Sequence, residues 1–284
     1  MVKSLFSAVV LSASAFPADG AEPSPAPPPA APAAPAAPAA PAAPAAPAAP
    51  ATDEAKKPAI KHLGGPNYEL NGIGFNEKTR AITLPGKVNM TGGLLEYALV
   101  HESGKAHESL LTTAVSPYDL NVVLLLLNYQ PSATFFDVSD KNAGAMLVKN
   151  PKLEPTAQLT ATVEWKSEDG KSSTAPLESL ILNLDQKGTA KEGPFTYTGS
   201  MLTDDGVFMA KETGSILALY ADAASLINNP REGNDNDDAW IPDKTKIPAR
   251  NTDVTLTFSP AAAAKTPAPQ SPPAKSKSPS KSNK

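Results

Sequence analysis

The stretch His101-Glu102-Ser103-Gly104-Lys105-Ala106-His107-Glu108 is where side chains able to hold a metal ion, an anion or a proton crowd together. The flanking runs 94–102 and 107–113 are rich in apolar residues, so Ser103-Gly104-Lys105-Ala106 reads as the turn of a hairpin. In the symmetric register Glu102 faces His107 and His101 faces Glu108, each pair on its own face of the ribbon. A carboxylate beside His101 would favour the imidazolium. The simplest role of such pairs is cross-strand attraction, roughly 0.2–1 kcal/mol each. The chemical alternative is a metal- or anion-dependent activity on His101, Glu102, Lys105, His107 and Glu108, with Lys105 as charged helper. Its geometry is weak. The two histidines project to opposite faces, zinc usually takes three or four ligands, and the remaining histidine, His62, lies at the edge of the folded region. The expectation is therefore no catalytic residue, no bound metal and no cofactor, with those five residues kept as a candidate binding patch.

Other polar clusters carry less. Asn234-Asp235-Asn236-Asp237-Asp238 offers oxygens suited to calcium, but Ala239 and Trp240 stand where an EF-hand loop needs its glycine turn. A solvated loop, closed by burial of Trp240, is the better reading. Gly72-Ile73-Gly74 and Thr91-Gly92-Gly93 do not open helices as phosphate loops do. Gly-x-Ser-x-Gly and His-Glu-x-x-His strings are absent, and basic residues do not interleave with aromatic ones, which argues against nucleic acid as a partner. The chain has no cysteine. That removes disulfides, thiolate metal sites and cysteine nucleophiles.

The elements that would position the patch are mostly strands. Residues 68–75 and 80–84 are short β-like runs, and Pro85-Gly86 reads as a turn. At 159–166, Leu159, Ala161, Val163 and Trp165 alternate with polar residues, and Asp169-Gly170 turns the chain back along 171–175. Residues 177–184 fit a short helix or a strand. Residues 195–202 and 207–210 flank Asp204-Asp205-Gly206 as another hairpin. A buried strand follows at 216–221, then a short helix capped by Asp222, and a last strand at 254–258. One helix stands out at 116–128. Ser116 suits the N-cap and Pro117 the first turn, while Leu120, Val123, Leu124 and Leu127 keep helical spacing. Val122, Leu125 and Leu126 are apolar too, so the helix is expected to be buried nearly all round, ended by Asn128 and Pro131. The predicted fold is α+β: a mostly antiparallel sheet, one buried helix at about 116–128 and short helices, flanked by disordered segments.

The ends of the chain set its organisation. Lys3 followed by the apolar run 5–16 and small-residue cleavage points reads as a signal peptide over 1–21. The apolar run is too short to span a bilayer comfortably, and beyond it no segment approaches spanning length. From 22 to 59 the chain is an Ala/Pro-rich linker with proline at every third position from 32 to 50. Such spacing forbids helix and sheet and leaves polyproline II, reaching on the order of 100 Å. Residues 60–259 form the folded domain, and 260–284 a Lys/Ser/Pro-rich tail of disordered composition. The expected location is the periplasm or the cell exterior.

The string from Gly86 through Met90-Thr91-Gly92-Gly93 to Tyr97, the Gly104-Lys105-Ala106-His107-Glu108-Ser109 motif, the helix that follows, Phe195-Thr196-Tyr197-Thr198-Gly199-Ser200, and Asp237-Asp238-Ala239-Trp240 resemble the YdjY-domain family. The resemblance covers most of 66–259. It implies an exported bacterial envelope protein without an established activity and transfers no catalytic role. Many members carry a histidine near the start of the helix, where this chain has Asp119 and Asn121, a departure that argues against a shared metal site. Some members bear a ferredoxin-like label, which a chain without cysteine cannot support. The combined expectation is an exported, non-enzymatic envelope module that binds an unknown envelope protein or small ligand at the end of a stiff stalk. The alternatives are the metal- or anion-dependent activity at His101–Glu108, or a structural protein whose basic tail touches an anionic cell-wall polymer.

Overall fold

The computed structural model describes residues 59–140, 144–167 and 169–261. The expected signal peptide, all but the last residue of the expected linker and all but the first two residues of the expected tail lie outside the described residues. Among the described residues seventeen strands follow in chain order: β1 Lys61–Gly64, β2 Asn67–Leu70, β3 Ile73–Asn76, β4 Ile82–Val88, β5 Tyr97–His101, β6 Ser109–Thr113, β7 Phe136–Asp137, β8 Met146–Leu147, β9 Gln158–Lys166, β10 Ser172–Pro176, β11 Ile181–Asn183, β12 Gly188–Thr189, β13 Phe195–Tyr197, β14 Ser215–Ala218, β15 Ile227–Asn228, β16 Trp240–Pro242 and β17 Asp253–Pro260. The helices are α1 Pro117–Leu126 and α2 Met209–Thr213.

The strands close on themselves in the order β4-β17-β9-β13-β15-β14-β5-β6, with β6 pairing back to β4. The predicted α+β sheet is thus corrected to a mostly β fold, an eight-stranded closed barrel with two helices. Closure leaves none of the eight barrel strands as a free edge, and eight strands leave an interior that side chains can fill. Leu84, Val163, Phe195, Leu256 and Phe258 do so, as members of one continuous core. The strands β1, β2 and β3 extend β4 on one side, and β10 pairs with β9 from Thr162 to Lys166, beyond the two residues, Gln158 and Leu159, that β13 takes.

Local chemistry explains several departures from the sequence reading. Pro85-Gly86 is not a turn but the middle of β4. On one side β4 pairs first with β3, at Ile82 and Thr83, and then with β6, at Lys87 and Val88. Pro85 lies at that change of partner, where its missing N–H costs no ladder bond. Gly86 is required there, because a Cβ would stand 2.8 Å from Leu256 Cδ1 and 3.0 Å from the Thr112 carbonyl oxygen.

Helix α1 stands where it was expected, with Pro117 in its first turn and Asn128 at φ 59° just past its end. Arg80 donates from Nε to the Leu127 carbonyl at 2.7 Å, placing a cation at the negative end of the helix. It is not buried all round, however. Leu120, Val123 and Leu124 enter the core while Leu125 and Leu126 stand about half exposed. The hairpin expected around Asp204-Asp205-Gly206 reduces to an isolated bridge, Leu202 to Phe208, that leads into α2. The helix expected after Asp222 is a turn before β15. At 177–184 both readings hold in succession, a 3₁₀ turn at Leu177–Leu180 and then β11.

Candidate functional site

The expected hairpin at 101–108 does not form, because β5 and β6 run parallel, with Tyr97 beside Ser109 and His101 beside Thr113. Parallel neighbours usually need a crossover of a dozen or more residues. Here residues 102–108 suffice. A seven-residue segment reaches about 25 Å at full extension, and the return along five-residue β5 is only about 13 Å. A 3₁₀ turn at Ala106–Glu108 delivers the chain to β6. Asn89 clips the crossover by donating to the carbonyls of Ala106 and Ser109. A second short crossover, 219–226, joins β14 to its parallel neighbour β15. Because β14 is antiparallel to β5, the starts of β5 and β6 and the end of β14 meet at one rim.

That rim gathers a network. Lys105 Nζ donates to Tyr97 Oη at 2.9 Å, and Tyr97 Oη donates to Asp222 Oδ2 at 2.8 Å. The ammonium lies 3.5 Å from Glu108 Oε1, 3.8 Å from Glu96 Oε2 and 5.0 Å from the centroid of the Tyr97 ring. Asp222 Oδ1 accepts the Ala224 N–H at 2.8 Å, and the Asp222 N–H donates to Asn228 Oδ1 at 2.9 Å. Burial pulls the Lys105 pKa down, but the Tyr97 hydroxyl and the Glu108 and Glu96 carboxylates outweigh it and hold the amine above the usual lysine range. Burial pushes Tyr97 up to about 12. Burial also raises Glu96, aided by the neighbouring Glu108 carboxylate and by Asp237. Both shifts favour the forms in which the two groups hydrogen-bond, an ammonium and a neutral phenol.

Of the five expected patch residues, the structure joins Lys105, Glu108 and His107 and leaves out His101 and Glu102. His107 Nε2 is 3.6 Å from Glu108 Oε2, with its side chain 80% exposed. His101 turns to its own loop, Nδ1 standing 2.7 Å from Ser103 Oγ. Glu102 is exposed and uses its backbone N–H on the Thr113 carbonyl. His62 contacts the Gly65 carbonyl at 2.8 Å, far along the chain from the rim. Among the described residues no three His, Cys, Asp or Glu side chains converge as a metal site would need. Sequence reasoning missed Glu96, Tyr97 and Asp222. Glu96 and Tyr97 end the string that carries the family resemblance, whereas nothing in the sequence connects Asp222 to residue 97.

Beside the network runs a trough. Ala221 and Ala223, the neighbours of Asp222, line its wall, and the β7–β8 ribbon forms the other side. Three hollows of about 540, 230 and 510 Å³ adjoin: the first two share Phe136, Ala145 and Ala223, the last two Leu147, Asn234 and Asp235. The first is the most apolar, with Val138 69% and Met201 40% exposed. Its wall holds two successive left-handed residues, Gly199 at φ 80° and Ser200 at φ 62°. A Cβ on Gly199 would stand 2.8 Å from Pro131 Cβ. Serine is uncommon in that conformation. It is held there because Ser200 Oγ donates to the Ala224 carbonyl at 2.7 Å and accepts the Ala210 N–H at 3.0 Å.

The family model of the YdjY domain matches residues 73–259. No curated protein and no solved structure matches the chain.

Proposed function

The chain belongs to the YdjY-domain family, and on that premise we propose that it is an exported, non-enzymatic envelope module whose barrel binds a protein or small ligand. One observation carries the reading. The ionisable groups at the rim are bonded to one another in a way that fixes Asp222, and the open apolar trough begins at the residues on either side of it. Groups held in mutual contact support a positioning role, whereas an open apolar trough with a few polar groups is the usual form of a binding site. The leader-like N-terminus and the proline-spaced linker support export.

Two measurements test this. Fractionation with intact mass should find the chain in the envelope or periplasmic fraction without residues 1–21. Oxidative footprinting of the purified protein with a soluble envelope extract should protect Met201, in the trough, more than Met146, which is exposed on the ribbon but does not line a hollow. Residence in the cytosol with the leader intact, or protection confined to surfaces away from Met201, would overturn the proposal.

A further inference from the structure

The lining of the trough also specifies what it takes. Among the described residues, its first two hollows present Phe136, Val138, Met201 and Tyr220, and their charged lining residues are Asp140, Asp204 and Asp235. Asp204 belongs to the first and Asp235 to the second, and neither has an ion-pair or hydrogen-bond partner among the described residues. The third hollow is mixed in charge, lined by Lys149, Arg231, Glu232 and Asp235; Arg231 is buried over the Phe195 ring, 3.8 Å from Glu178, and donates to the Lys191 and Gly193 carbonyls. Exposed apolar side chains in contiguous array mark a surface that meets another molecule. Unpaired carboxylates along it favour cationic partners and repel anionic ones.

We propose that the trough binds an extended polypeptide segment with an apolar centre and basic residues on either side, the basic groups meeting Asp204 and Asp235. This rests on the binding reading above and adds the class of partner. A polypeptide fits better than a compact ligand, because the hollows succeed one another beneath the ribbon and do not close around a single chamber. Apolar side chains would seat against Phe136 and Met201, and the two carboxylates would set register.

The test uses the full-length mature protein and a fluorescein-labelled, end-blocked peptide, Lys-Ala-Leu-Val-Ala-Lys, followed by anisotropy at physiological salt. Two companions replace its lysines by glutamate or its apolar centre by Ser and Gly. The Lys-flanked apolar peptide should bind more tightly than both. The double variant Asp204→Asn, Asp235→Asn should weaken it by about fivefold or more, the scale of two exposed ion pairs. Met201→Ser should also weaken it, while Asp169→Asn, in the β9–β10 turn, should leave it unchanged. Equal binding of the three peptides, unchanged binding by the double variant, or no binding of the Lys-flanked peptide would overturn the proposal. If the extract still protects Met201 in that last case, the binding reading stands and only the partner class falls. Loss of both results removes the two together.

Discussion

Replacing Lys105 by methionine is the sharpest perturbation of the rim. Methionine keeps most of the stem and its packing, so the change isolates the ammonium. The group makes one charge-assisted hydrogen bond at 2.9 Å, two ion pairs at 3.5 and 3.8 Å, and a cation–π contact at 5.0 Å. A hydrogen bond to a charged group contributes about 1.5–3 kcal/mol, and half-exposed ion pairs only a few tenths each once solvent screening is counted. The ring contact adds about 0.5 kcal/mol at such exposure. These contributions share one ammonium and do not add fully, so the expected loss is about 2–3 kcal/mol. For a domain of about 200 residues that is a fall in Tm of roughly 5–10 °C. The loss should be larger at pH 7 than at pH 5, because removing the cation leaves Glu96 and Glu108 facing each other, and Glu96 takes up a proton more readily than an ordinary carboxyl. The assay is calorimetry of the wild type, Lys105→Met, Tyr97→Phe and the double variant. A coupling energy of about 1 kcal/mol or more between the two sites is expected. A Tm shift below about 2 °C, or strict additivity with Tyr97→Phe, would refute the claim that Lys105 organises the rim.

Glu96 has its folded pKa raised, so its contribution favours the fold below the unfolded value of about 4.3 and is lost as pH rises through the folded value. Glu96→Gln should therefore be no less stable than the wild type at pH 7 and should flatten the fall of Tm as pH rises above the unfolded value; a clear destabilisation at pH 7 would refute this. Burial lifts Tyr97, Tyr129 and Tyr197 to about 12. Their contribution is complete below the unfolded value of about 10 and is lost as pH climbs toward 12. Absorbance titration at alkaline pH should accordingly show part of the tyrosine signal appearing late and together with unfolding. Gly104→Ala should destabilise by about 1–3 kcal/mol through overpacking, because a Cβ would meet the Thr213 carbonyl oxygen at 2.7 Å and Gly214 Cα at 3.1 Å. Chemical denaturation measures it, and a neutral result would mean that the two glycine backbones do not approach so closely.

What the sequence shows of this fold is what depends on near neighbours. The alternation along β9 and β17, the Asp169-Gly170 turn between β9 and β10, and the start and stop of α1 are set by residues a few positions apart, and all stand in the structure. Barrel closure is set by pairings between distant segments. The closing bond from β4 to β6 involves two residue pairs, and β15 has two residues in all. Such strands are too short to show a period. A parallel neighbour joined by seven residues also carries the same local signal as a hairpin, namely two apolar runs around Gly104, so the sequence alone reads β5 and β6 as antiparallel. That register brings His101 and Glu102 into the patch and hides Tyr97 and Asp222 from it, since register decides which side chains share a face.

The motif Gly104-Lys105-Ala106-His107-Glu108-Ser109 then has a physical account that needs no catalysis. Gly104 lets the crossover pass against Gly214, and Lys105 ties it to Tyr97. The Ala106 carbonyl accepts from Asn89, Glu108 faces Lys105, and buried Ser109 donates to the Leu111 carbonyl at 2.8 Å. Five of the six positions thus serve to fold a parallel pair over an unusually short connection. His107, largely exposed, is the exception and has only Glu108 beside it. A motif that builds the connection also fixes Asp222 through Tyr97, and with it the wall from Ala221 to Ala223. A string that serves folding can therefore hold the proposed binding surface in place more than a hundred residues away without contributing an atom to it, and under that proposal the binding chemistry falls to the trough residues Met201, Asp204, Tyr220 and Asp235.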